Sequence, residues 1–207
     1  MKMKETLISI FLGSIIGLSI LWLSSLCAAA EIGFEAEDAD VFVPIMAAFD
    51  DPNASEGMYI AAGQAGGGRQ TGQAEFNLNI LAAGNYAAWG RVMTADSSTD
   101  SVFLTMDEDD SPQAADSDKI WDIGNPFMEW TWLRMTWRED TDLTFDLTKG
   151  EHKFIVWSRE GNARLDAVYM STDPNADPKF PEDVEQLPEA VVSTDKIAIT
   201  WGGIKAQ

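Results

Sequence analysis

Four carboxylates fall within six positions of the segment GFEAEDADVFVP, residues 33–44: Glu35, Glu37, Asp38 and Asp40. Three chemistries fit such a density: a site for a hard cation, a carboxylate pair for acid/base work, or a solvated strand end. Spacing separates the four. Residues two apart on a strand point to the same side, so Glu35 and Glu37 can grip one ion together while Ala36 faces inward. Asp38 and Asp40 share a different phase and read as a solvated strand end. Calcium takes roughly six to eight oxygen ligands from carboxylates, carbonyls and water, which makes it the cation that this acidic chain suits best.

The remaining reactive inventory is thin. His152 is the single histidine and Cys27 the single cysteine, so histidine–metal clusters and Ser–His or Cys–His nucleophiles have little to work with. The glycines at 66–68 lack the Lys and Ser/Thr of a phosphate-binding loop. A two-carboxylate glycosidase stays open on counts alone. It requires a deep cleft, however, whereas a small sandwich carries a shallow groove.

Residues 1–30 read as a secretory signal: a basic MKMKETL, an apolar ISIFLGSIIGLSILWL, then SSLCAAA with its Ala-x-Ala exit, cut between Ala30 and Glu31. The apolar run is short for a spanning helix, so no membrane insertion is expected after cleavage. Leu26 before Cys27 argues against lipid attachment. The mature protein is expected outside the cytoplasm, extracellular or periplasmic, with no cysteine and hence no disulfide. A formal charge of −20 repels nucleic acid and anionic membranes.

These residues need a scaffold, and the apolar pattern beyond the signal is short and alternating with turn residues between segments. MYIAA, AEFNLNI, NYAAWGRVM, DSVFLTMD, KIWDI, EWTWLRMTW, DLTFDLT, HKFIVWS and RLDAVYMS read as strands, and no stretch has a helical period. An all-β sandwich of two antiparallel sheets follows. DLTFDLTKGEHKFIVW reads as a hairpin turning at Lys149-Gly150. The loops at 61–72 and 107–118 are too polar for a core. The domain spans residues 31–173. Residues 174–207 form an acidic, Pro-containing tail, whose stretch 196–204 alternates as an edge strand docked on the sandwich or recruits a protein partner.

FEAEDA, DDPNASEGMYI, GNYAAWGRV, DSVFLTMD, EWTW and HKFIVWSREGNARLDAVYMSTD follow one another in an order that resembles the carbohydrate-binding modules of families 6 and 35. These are galactose-binding-domain-like jelly rolls, and the resemblance covers about residues 33–173. It implies a structural calcium held by Glu35, Glu37 and Asp166, with oxygen from the loop at Asn53, Ala54 and Ser55. It also implies a glycan site in loops at one end of the sandwich, with Trp130 as a stacking platform and Trp121 as a second candidate. Many family members place an Asn before the last-strand Leu-Asp, where this chain has Arg164. Asn162 can substitute for it, Arg164 can pair with an acidic sugar, or Arg164 is a surface ion pair.

The functional expectation is a secreted, noncatalytic protein that binds a polysaccharide or cell-surface glycan and is stabilised by calcium. The alternative is a jelly-roll structural or protein-interaction module without sugar binding.

Overall fold

The computed structural model describes residues 29–63, 72–112, 116–138 and 141–185. Residues 1–28 of the signal segment, the glycine-rich loop centre and the tail stretch 196–204 lie outside them. The described strands are β1 (Glu31–Glu35), β2 (Val41–Val43), β3 (Met46–Asp50), β4 (Met58–Ala62), β5 (Gln73–Ile80), β6 (Gly84–Met93) and β7 (Ser101–Met106). After them come β8 (Ile120–Asp122), β9 (Thr131–Arg134), β10 (Thr136–Trp137), β11 (Thr141–Asp142), β12 (Thr144–Leu147), β13 (Gly150–Ser158) and β14 (Arg164–Ser171). Short 3₁₀ turns are the only helical elements among the described residues.

Two antiparallel sheets make the sandwich. One runs β12-β6-β14-β4-β3, with β1 also on β14 and β9 also on β6; the other runs β2-β5-β13-β7-β8. Period-2 patterning explains the second sheet: β5 buries Ala74, Phe76, Leu78 and Ile80 and turns the intervening residues outward. Phe34, Phe76, Phe145 and Phe154 meet between the layers, with ring centroids 4.8 Å apart for Phe34–Phe76 and 5.8 Å for Phe145–Phe154.

The expected hairpin at residues 142–157 is an arch. β12 pairs with β6 in one sheet and β13 with β5 and β7 in the other, and Gly150, at φ 131°, turns the chain between them. Alternation places Phe145 and Phe154 on apolar faces in either topology; their edge contact shows the faces opposed across the core rather than side by side.

Trp121 is 1% exposed and fills this core. A Cβ added at Gly90 would stand 2.6 Å from its Cη2 atom. Gly90→Ala is therefore expected to destabilise the fold by about 1–3 kcal/mol through overpacking, measured as a lower urea midpoint with unchanged slope.

The outer face of the larger sheet is covered as well. Trp89, Tyr169 and Ala87 cluster with Val184, and Ala176 and Trp132 pack against them. Ordered packing thus continues past the expected boundary at Asp173 to the end of the described chain at 185. β6 could not show this, because an aromatic on its outward phase reads the same whether exposed or covered.

His152 stands near the start of β13, beside the turn at Lys149-Gly150, and its side chain is 11% exposed. Nδ1 lies 2.7 Å from Asp107 Oδ2 and Nε2 lies 2.9 Å from the Thr148 carbonyl. Asp107 and the Thr148 carbonyl accept only and so favour the doubly protonated ring, while the Thr148 hydroxyl also stands 3.3 Å from Nε2. The Asp107 hydrogen bond raises its pKa above the usual 6.5 against the opposing effect of burial, and the Thr148 carbonyl adds a smaller rise. Its stabilising contribution is complete below the unfolded value and is lost as pH rises through the folded one. An NMR titration should place the His152 midpoint above 6.5, with Asp107→Asn moving it down.

Candidate functional site

β1 ends at Glu35, and Ala36–Asp38 form a 3₁₀ turn, so Glu35 and Glu37 do not share one strand as their spacing implied. The turn still buries Ala36 completely and swings both glutamates inward. β1 pairs with β14 through Glu35↔Ala167, which sets Glu35 next to Asp166. A register irregularity between Leu165 and Ala167 turns Asp166 into a site where it is 0% exposed.

The loop between β3 and β4 closes the cluster. Ser55 donates its backbone N–H to Asp166 Oδ1 at 2.9 Å and its hydroxyl to Glu35 Oε1 at 2.7 Å. Arg91, from β6, donates Nη1 to Asp166 Oδ2 and Nη2 to the Asn53 carbonyl at 3.3 Å. Ser55 therefore acts as a donor that orders two carboxylates. Glu35, Ser55 and Asp166 are joined by hydrogen bonds, and Glu37 lies near enough for charge repulsion with Glu35 and Asp166.

Two acceptors stay unpaired: the Oε2 atoms of Glu35 and Glu37 are buried and have no hydrogen-bond partner. Burial pushes the Glu35 carboxyl up to about 7, with Asp166, Glu37 and Glu56 adding repulsion against the Ser55 hydrogen bond. Burial likewise pushes Glu37 up to about 7, with repulsion from Asp166, Asp38 and Glu56. Burial also raises Asp166, opposed by Arg91 and Ser55. Among the described residues no group of three or more Asp, Glu, His or Cys side chains already stands in a metal-holding array. What stands there is a carboxylate cluster held by Arg91 and Ser55, with two orphan oxygens.

Asp38 and Asp40 are exposed, as expected, but Asp40 also works: its Oδ2 accepts the Asn77 N–H at 2.7 Å and anchors β5.

Beyond Arg91 lies a second group. The chain from 124 to 130 is tied to the end of β6 by the Met128 N–H on the Thr94 carbonyl at 2.7 Å, which brings half-buried Trp130 over β4. Trp130 Nε1 donates to Asp51 Oδ2 at 3.4 Å, its ring centroid is 5.6 Å from that of Tyr59, and the Arg91 guanidinium sits 5.5 Å above it. Arg164 lies 5.1 Å over Tyr59, 4.0 Å from Asp51 Oδ2, and donates Nε to Asn162 Oδ1 at 3.2 Å. Trp130, Asn162 and Arg164 are thus gathered around Asp51 and Tyr59. Arg164 is an ion-pair partner here, one of the readings its position left open.

Trp121 does not join them. Its burial in the core leaves no ring face for a ligand, which corrects its assignment as a second platform. A tryptophan on a strand of alternating pattern gives no sign of which phase is inward.

Asp51, Tyr59 and Arg91 were missed as site residues. Arg91 had a readable signal: a cation within the apolar run of β6, in a chain of charge −20, calls for a buried carboxylate partner.

The fold is an all-β jelly-roll sandwich of two antiparallel sheets. The chain is similar to a family 35 carbohydrate binding module from Clostridium thermocellum, at 16% identity, with 68% of this chain and 97% of that one covered and a TM-score of 0.48. It is similar also to the C-terminal CBM6 of a marine laminarinase from Zobellia galactanivorans, at 14% identity, 68% and 98% coverage and a TM-score of 0.49. A third likeness is to the isomalto-dextranase of Arthrobacter globiformis T6, at 18% identity and a TM-score of 0.50, where 68% of this chain covers 23% of that one. No family model matches the sequence, and no curated protein matches it.

Proposed function

We propose that this chain is a secreted, noncatalytic carbohydrate-binding module in which a calcium ion joins the first strand to the last. The observation that supports it most directly is the pair of buried, partnerless Oε2 atoms beside Asp166. Three carboxylates with one Arg91 carry a net charge of −2 when ionised, which one divalent cation neutralises. The two free Oε2 atoms are carboxylate oxygens, the ligand type that a hard cation prefers. Glu35, Glu37 and Asp166 would hold the ion, the 53–55 loop would add oxygen, and Ser55 would orient the carboxylates. When bound, the ion supplies charge compensation, not reactivity.

The glycan would meet the loop end of the sandwich. Trp130 and Tyr59 offer ring surface for the apolar side of a sugar, and Asp51, Asn162 and Arg164 offer hydrogen bonds to its hydroxyls. Arg164 would also suit an acidic sugar. The neighbours from Clostridium and Zobellia are themselves carbohydrate-binding modules, and the Arthrobacter enzyme is complexed with panose.

A glycan array probed with the chain, with and without calcium, tests the reading. Selective binding that Trp130→Ala lowers by about two- to thirtyfold supports it, since aromatic and cation–π contacts contribute about 0.5–2 kcal/mol. A blank array favours the rival, a structural or protein-interaction jelly roll. One observation speaks for that rival: Trp130 already packs on Arg91 and Tyr59 and bonds Asp51.

A further inference from the structure

We infer that residues 174–185 act as a strap that positions Arg91, so that strap docking and cation binding at Glu35, Glu37 and Asp166 strengthen each other; this rests on the proposed cation site.

The strap is fastened along the outer face of the larger sheet. Arg134 Nη1 donates to the Pro174 carbonyl at 3.1 Å, and Lys179 Nζ donates to Glu31 Oε2 at 2.6 Å. Val184 is 7% exposed against Trp89 and Tyr169. Gly33 makes the close approach possible, because a Cβ there would stand 2.7 Å from Val184 Cγ2 and 3.0 Å from Pro181 Cα. These contacts place the Phe180 ring against Trp132, 5.9 Å between centroids, and 5.2 Å from the Arg91 guanidinium.

Arg91 is therefore held by two rings, Phe180 of the strap and Trp130 of the glycan loop, while its N–H groups reach Asp166 and the Asn53 carbonyl. Its side chain is 15% exposed. Phe180 and Glu182 line, with Asn53, Ser55, Glu56 and Arg91, an open hollow of about 310 Å³ beside the carboxylates. A lifted strap removes Phe180, frees the guanidinium to sample other rotamers, and leaves Asp166 without a fixed partner. The cation must then order these groups itself, at a cost in affinity. Linkage requires the reverse with equal size: the bound cation favours the docked strap by the same factor.

Phe180 is a positioning residue in this account, and two readouts on the full chain test it. Calcium titration calorimetry should show Phe180→Ala weakening binding by about fivefold or more, while Phe180→Tyr, which keeps the ring, stays within about twofold. The second readout needs no variant. Cleavage after Lys179 by a calcium-independent lysine-specific protease, followed by mass spectrometry against an added reporter peptide, should slow in calcium by a matching factor. Calcium binding unchanged in Phe180→Ala together with unslowed cleavage overturns the coupling and leaves the cation site standing. Equal weakening in Phe180→Ala and Phe180→Tyr also overturns it, since loss of the ring is then not the cause. No calcium binding to the unaltered chain overturns both.

Discussion

Calcium is expected to raise the melting temperature of the chain by about 5–11 °C at pH 8 and by little at pH 5. The size follows from occupancy: a cation at about one hundred times its dissociation constant contributes about 2.7 kcal/mol, and a chain of this length gains about 2–4 °C per kcal/mol. The pH dependence follows from Glu35 and Glu37, whose carboxyls burial pushes from 4.5 to about 7. Between those values the folded state keeps protons that the unfolded state has released. Without the cation, the cluster therefore stabilises the fold less as pH rises from about 4.5, and its full penalty is present above about 7. A bound cation replaces the protons and removes that penalty, so the difference between calcium and EGTA melts must widen with pH. Glu37→Ala should abolish the difference. A calcium effect that is equal at both pH values would contradict the raised carboxyls.

Replacing Arg91 by methionine should destabilise the calcium-free chain by about 3–5 kcal/mol, the usual cost of leaving a buried charge without its partner. Asp166 is fully buried and Arg91 is its only cationic partner among the described residues, so no neighbour can take over. Methionine keeps the stem and its contact with the rings, which separates lost charge from lost packing. Paired urea unfolding curves of the unaltered chain and of Arg91→Met, both in EGTA, read that loss. A loss below about 1 kcal/mol would show that the pair is exposed to solvent in practice.

The sandwich was legible because β5, β7, β13 and β14 carry their apolar residues with period two or as continuous runs between turn residues. β2, β3 and β11 were not, being short and poorly patterned. The arch at Lys149-Gly150 was misread as a hairpin for a related reason: alternation fixes which face is inward and says nothing of which sheet a strand joins. Within the site, Glu35, Glu37, Ser55 and Asp166 were reached through resemblance, since no local pattern links positions so far apart. The strand expected to carry both glutamates ends at Glu35, and a 3₁₀ turn at Ala36–Asp38 carries Glu37 instead. Trp121 failed because burial of a tryptophan is decided by its neighbours, here the notch over Gly90. The strap at 174–185 was invisible for the opposite reason: an acidic, proline-bearing segment reads as solvent-exposed, and only a few residues, Phe180 and Val184 above all, make its contacts.

The proposed clasp requires Glu35, Glu37 and Asp166 together to hold one divalent cation at the seam between β1 and β14. Calorimetric titration of the EGTA-treated, desalted chain with calcium at pH 8 tests it most directly, with Glu37→Gln in parallel. One ion per chain, with binding lost or weakened at least tenfold in Glu37→Gln, is the predicted result. An absence of binding heat and of any calcium-dependent shift in melting, or binding that Glu37→Gln leaves unchanged, would contradict it.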